Sequence, residues 1–326
     1  MPFRIKISLI ILAVVVGLFV VLPLVLPIEP PDGVRPLEDV AGPDATYLEI
    51  NGVRVHYTLE YYWGAAWSDV TYLMLHGFAY SAESFEEVAP LLSNRGDVIA
   101  FDRPGFGLTE RLTPNEYAGG FDPYAAESQP LLALAVLDAL GVDSAVIVGH
   151  GDGARVALEV ALAAPERVDG LVLIGAAPYV QTGRSALSRM IMRTPQMQRV
   201  GPVMLRQLAS EPGLRIIRAG WADPEKIDQD TIRDYTVPLT VEGWDQALWL
   251  LSLAEAPEPL VGRLGGIRAP TLLIVGEGDT VVPASESERL AVEMPNTELM
   301  RLPGCGHVAH EECPEAVAAA VEAWLR

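Results

Sequence analysis

The sequence predicts an α/β layered domain: a mostly parallel sheet covered on both faces by helices, with an antiparallel start. Three observations carry that prediction. Short β-rich apolar runs without alternation recur along the chain, which marks strands buried on both faces. Amphipathic helical segments separate them. An Asn51-Gly52 pair joins two alternating segments near the beginning, the strongest short hairpin signal.

Taken in order, Ile7–Ile28 carries no charged side chain and is interrupted only by Ser8, Gly17, Pro23 and Pro27. Twenty-two residues at 1.5 Å each span a hydrocarbon core of about 30 Å, so residues 1–28 read as a transmembrane signal anchor. Arg4 and Lys6 before the run place the N-terminus in the cytoplasm and the globular part on the other side, with the lipid bilayer as a partner. A cleavable signal is the competing reading, but Pro23 to Pro30 stands where small cleavage-site residues belong. Residues 29–45, with Pro30, Pro31, Pro36 and Pro43, read as an extended, solvated tether.

The hairpin Thr46–Ile50 and Val53–Tyr62 opens the globular part, and the apolar runs follow at Thr71–Leu75, Val98–Phe101, Ala145–Val148, Leu171–Ile174, Thr271–Val275 and Glu298–Leu302. Helical segments lie between and after them: Glu83–Leu92, Tyr124–Leu140, Ala154–Ala163, Ser285–Met294 and Pro314–Leu325. One interval, residues 181–259, contains no convincing strand but several helix-like stretches rich in Met and Trp. It reads as a helical lid inserted between a first core part, 46–180, and a second, 260–326, above the strand carboxyl ends where ligands bind.

Composition narrows the functions. With 23 basic against 43 acidic side chains the net charge is −20, and a polyanion is repelled by phosphates, which excludes nucleic acid as a partner. No histidine pair at helical spacing with a carboxylate suggests a metal site, and no glycine-rich stretch fits a dinucleotide fingerprint, so no cofactor is expected. The two cysteines, Cys305 and Cys313, are open to bridging or to remaining free, because eight residues of separation does not fix their Cα distance.

The chemistry lies in short motifs at strand ends. His76-Gly77-Phe78 follows the third strand and Asp102-Arg103-Pro104-Gly105-Phe106-Gly107 the fourth. Gly149-His150-Gly151-Asp152-Gly153 follows the fifth and opens a helix. Gly276-Glu277-Gly278-Asp279 and Gly304-Cys305-Gly306-His307 follow the last two. In this order over about residues 46–326, they resemble the α/β-hydrolase superfamily, most similarly its lid-bearing esterase, epoxide hydrolase and carbon–carbon hydrolase branch. The resemblance implies the α/β-hydrolase fold, with His307 as general base and Asp279 as the carboxylate that orients it. It also implies an oxyanion hole from the N–H groups of Phe78 and Asp152.

The departure is at the nucleophile elbow. Gly149 and Gly153 fill the small outer positions of the G-x-nucleophile-x-G pattern, so the nucleophile position is Gly151, which has no side chain to attack with. A slipped register would make Asp152 the nucleophile, but it would place the bulky His150 where a small residue belongs. His150 itself reads as a buried, hydrogen-bonded histidine. Two expectations follow. One is hydrolysis of an ester or similar bond in a small apolar substrate by water that His307 and Asp279 activate. The other is a non-catalytic protein that keeps the pocket and binds an apolar ligand.

Overall fold

A computed structural model describes residues 17, 20–64, 70–117, 120–179 and 186–326. Eight strands form one sheet: β1 Thr46–Ile50, β2 Val53–Glu60, β3 Val70–Leu75, β4 Gly96–Phe101, β5 Ala145–His150, β6 Val168–Ile174, β7 Thr271–Gly276 and β8 Thr297–Leu302. Their spatial order is β1-β2-β4-β3-β5-β6-β7-β8. β2 runs antiparallel to β1 and β4, and every other pairing is parallel. The β1–β2 turn takes positive φ at both Asn51 and Gly52, the handedness a two-residue hairpin needs.

Alternate residues of the inner strands serve opposite faces, as the strand period of two requires. Leu73, Leu75, Ile147, Leu171 and Leu173 pack under the helices Ser128–Ala139 and Asp152–Ala163. Tyr72, Met74, Val146, Val148 and Val172 pack on the other side with Phe85, Leu92, Val317 and Val321. Both faces are buried, which is why these strands read as continuous apolar runs.

Among the described residues, five α-helices are inserted between β6 and β7 and cap the carboxyl edge of the sheet: Ala186–Met192, Pro195–Leu205, Glu211–Ala219, Gln229–Thr236 and Trp244–Leu253. Trp244 and Leu248 of the last meet Phe106 from the loop after β4 in a separate small core. Residues 181–185, the expected start of the insertion, lie outside the described residues.

The expected single-pass membrane placement is corrected by the structure: among the described residues, no helix is long and apolar enough to cross a membrane. Most of Ile7–Ile28 lies outside the described residues. Of its described residues, 17 and 20–25 are helical, and the chain bends at Leu26, where the following Pro27 disfavours helical backbone. That end is turned to the protein. Arg199 donates to the carbonyls of Leu24 (2.9 Å) and Leu26 (2.8 Å), and Gln196 donates to that of Val20 (3.0 Å).

The stretch expected as a free tether is docked as well. Arg35 pairs with Val241 of the cap, Val34 packs in the small core with Trp244, and Glu38 accepts from Arg54 at 2.8 Å.

Candidate active site

The sheet's carboxyl edge gathers the motif residues. β5 ends at His150, Gly151 turns the chain at φ 54° and ψ −113°, and the helix Asp152–Ala163 begins at once. The flanking glycines are steric requirements. A Cβ on Gly149 would lie 2.6 Å from Ala154 Cα, and one on Gly153 would collide with the carbonyl of Leu75. A Cβ on Gly151 meets a different situation: its nearest neighbour is His307 Nε2 at 3.4 Å, followed by Gly77 Cα at 3.8 Å.

His307, on the loop after β8, is buried with its Nδ1 2.9 Å from Asp279 Oδ2. The other oxygen of Asp279, on the loop after β7, accepts from the backbone N–H groups of Val281 and Val282, both at 2.8 Å. With Nδ1–H donating to Asp279, the lone pair of Nε2 faces the space beside Gly151. Room for the ring depends on Gly175 at the end of β6, where a Cβ would sit 2.8 Å from His307 Nδ1.

Phe78 and Asp152 follow the ends of the adjacent parallel strands β3 and β5. His76 holds the first of these loops. It is fully buried, donates from Nδ1 to Gly77 O (2.7 Å), and accepts the Arg103 N–H at Nε2 (2.9 Å). Burial, helped by the Arg103 charge, pushes its pKa down to about 3, so it stays neutral in these roles. The Asp152 carboxylate pairs with the buried Arg103 guanidinium at 2.9 Å, so one of its oxygens is engaged by the loop after β4.

His150 differs from its expected description. It is buried, but among the described residues neither ring nitrogen has a hydrogen-bond partner. The ring packs at a tilt against those of His307 and His310, with centroids 4.7 and 4.5 Å away, and meets Tyr80 edge-to-face at 4.9 Å. Burial and the neighbouring imidazoles push its pKa well below the ordinary value, so it acts as a neutral aromatic wall. Cys305 and Cys313 form a disulfide with Cα atoms 6.1 Å apart, closing the loop that carries His307.

Beside Phe78 lies a mostly apolar cleft, open to solvent and walled by Phe106, Ile216, Leu239, Trp244 and Leu248 among others. His307 and Asp279 are not among its lining residues; Tyr80, which lines it, meets the His150 ring, which in turn meets His307. Among the described residues no group of three or more His, Cys, Asp or Glu side chains is arranged to hold a metal ion. Two site features have no local signal in the sequence: the Arg103–Asp152 pair and the buried Glu312, which accepts from Gly306, Ala222 and Asp223.

The chain is 30% identical over 268 residues to the uncharacterized hydrolase YugF of Bacillus subtilis (strain 168), covering 82% of this chain and 93% of that protein. It is 28% identical over 256 residues to a 2-hydroxy-6-oxo-6-phenylhexa-2,4-dienoate hydrolase of Burkholderia cepacia, covering 75% of this chain and 83% of that protein. A solved membrane phospholipase A superposes with a TM-score of 0.65 at 22% identity over 99% of this chain and 98% of that one, a likeness of fold alone. Residues 72–320 match the alpha/beta hydrolase family as a whole, and with the sheet order and strand-end motifs described above, the chain belongs to that family.

Proposed function

We propose that the protein hydrolyses an ester or similar bond in a small apolar substrate held under the cap helices, which act as its lid, with water in place of a side-chain nucleophile. The observation that supports this most is the 3.4 Å between His307 Nε2 and the point where a Cβ on Gly151 would stand. A water beside Gly151 reaches that nitrogen, and the Asp279 hydrogen bond at 2.9 Å keeps the imidazole in the accepting tautomer. In the reaction, Nε2 takes a proton as the water oxygen bonds to the substrate carbonyl carbon. The N–H groups of Phe78 and Asp152 stabilise the oxyanion, and the imidazolium returns the proton to the leaving oxygen as its bond to carbon breaks. General-base help of this kind contributes about 10²–10⁴-fold. No covalent intermediate forms on the enzyme.

The test is turnover of short-chain p-nitrophenyl esters by the wild type and by His307→Ala. The expected result is a rate lowered about 10²-fold or more in the variant. No wild-type labelling by a fluorophosphonate probe is expected. Equal rates in the two proteins overturn the proposal. A second reading, a binding protein without turnover, draws on the same Gly151, which removes the nucleophile and leaves the apolar cleft intact. Saturable binding of an apolar ligand with no turnover by the wild type would favour it.

A further inference from the structure

The loop that carries His307 is fastened to the cap by a carboxylate outside the dyad. Glu312 has a fully buried side chain. Its Oε2 accepts from Gly306 N at 2.6 Å and Ala222 N at 2.9 Å, and its Oε1 accepts from Asp223 N at 2.8 Å. Gly306 is the neighbour of His307, whereas Ala222 and Asp223 belong to the cap. The cap carbonyl of Gly220 completes the seam, accepting from His307 N at 2.7 Å and Val308 N at 3.2 Å. The packing is close enough that a Cβ on Gly306 would lie 2.5 Å from Ala222 N.

Gly220 directly follows the cap helix Glu211–Ala219, and Gly213, Ile216 and Ile217 of that helix line the cleft. The wall touched by a ligand and the backbone that carries the imidazole are therefore consecutive in one hydrogen-bonded unit. A carboxylate accepting three N–H bonds out of water makes strong, charge-assisted contacts, and its ammonium partner, Lys226, stands at 3.9 Å. A neutral side chain of the same shape cannot accept all three, because an amide nitrogen donates.

We propose that Glu312 is a positioning residue that locks cap residues 220–223 to the His307 loop, so that a ligand seated against Ile216 and Ile217 sets the placement of the imidazole. This rests on the reading of His307 as the general base, and it adds a link between cleft occupancy and that base.

The test does not need turnover. The chain has five histidines, so the His307 ring nitrogens can be followed by ¹⁵N NMR while octan-1-ol is titrated, with tryptophan fluorescence reporting occupancy of the cleft beside Trp244. In the wild type the His307 signals shift saturably. In Glu312→Gln the alcohol binds within about threefold of wild type, the His307 response falls at least about fivefold, and the His56 signals stay unchanged. Glu312→Asp, which keeps the charge and shortens the reach, restores part of the response; if the Gln variant fails to fold, a weakened response in the Asp variant decides the matter. A full His307 response in either folded variant overturns the proposal, as does a wild type whose His307 ignores the bound alcohol. Ester turnover is read separately: its absence in the wild type sinks the hydrolase reading and leaves the NMR result standing.

Discussion

At Gly151 the backbone holds φ 54°, a conformation that costs a residue with a Cβ about 1–3 kcal/mol. The turn thus has a strained backbone geometry of the kind a nucleophile elbow needs, with no side chain on it, as the proposed reading requires. Because a Cβ there meets His307 Nε2 at 3.4 Å and nothing closer, Gly151→Ser fits with at most a small adjustment and places a hydroxyl beside the base. Loss of the nucleophile alone costs roughly 10⁶-fold in a serine protease, so partial recovery is expected to raise ester turnover by at least about 10²-fold. Fluorophosphonate labelling should appear only in the serine variant, together with a melting temperature lower by a few degrees. A variant that neither labels nor turns over would show that the remaining groups do not form a working site. Gly151, Asp279 and His307 are legible in the sequence because each stands in a short glycine-flanked motif after a strand. Glu312 is not, since two of its three N–H donors lie 89 and 90 residues away, and only the folded chain brings them to it.

All eight described strands coincide with segments readable in the sequence: burial on both faces leaves a mostly apolar run in β3 to β7, and β1 and β2 show through their alternation around Asn51-Gly52. Helix boundaries are less visible. The segment read as Glu83–Leu92 is a 3₁₀ turn, Ala82–Phe85, followed by a short α-helix, Ala89–Leu92, with Pro90 in its first turn. The docking of residues 29–45 has no local signature either, since proline-rich composition looks the same whether the segment is solvated or held. The His307 loop gives a prediction at this scale. The Cys305–Cys313 bridge closes eight residues of chain, which in the chain-entropy account contributes roughly 2–3 kcal/mol. A non-thiol reductant should therefore lower the melting temperature by several degrees. Alkylation should label neither cysteine before reduction and both after it; two labelled cysteines without reductant would refute the bridge.

Over the whole molecule the −20 charge is unevenly compensated. Glu83, Glu86, Glu311 and Asp234 line one polar recess beside the cap, and burial raises the pKa of each, with carboxyl neighbours adding to the shift. Glu311 is the most enclosed of them. It takes hydrogen bonds from Ser84 and Tyr235, yet desolvation lifts its pKa from 4.5 to about 7. A carboxyl whose folded pKa lies above its unfolded one binds more protons in the folded state across that interval. The stability it contributes is complete below about pH 4.5 and is lost as pH rises through about 7. Glu311→Gln stays neutral at every pH and escapes that loss. The buried imidazoles of His76 and His150 are common to both proteins and cancel in the difference between the two melting curves, which reports position 311 together with its neighbours His310, at 3.8 Å, and the carboxyls of Glu86 and Asp234. Thermal melts at pH 5, 6, 7 and 8 and constant ionic strength should show the variant gaining on the wild type as pH rises, with most of the gain between pH 5 and 7. An offset that stays constant with pH would mean that Glu311 is ionised in the folded protein throughout, and that Ser84 and Tyr235 compensate its burial in full.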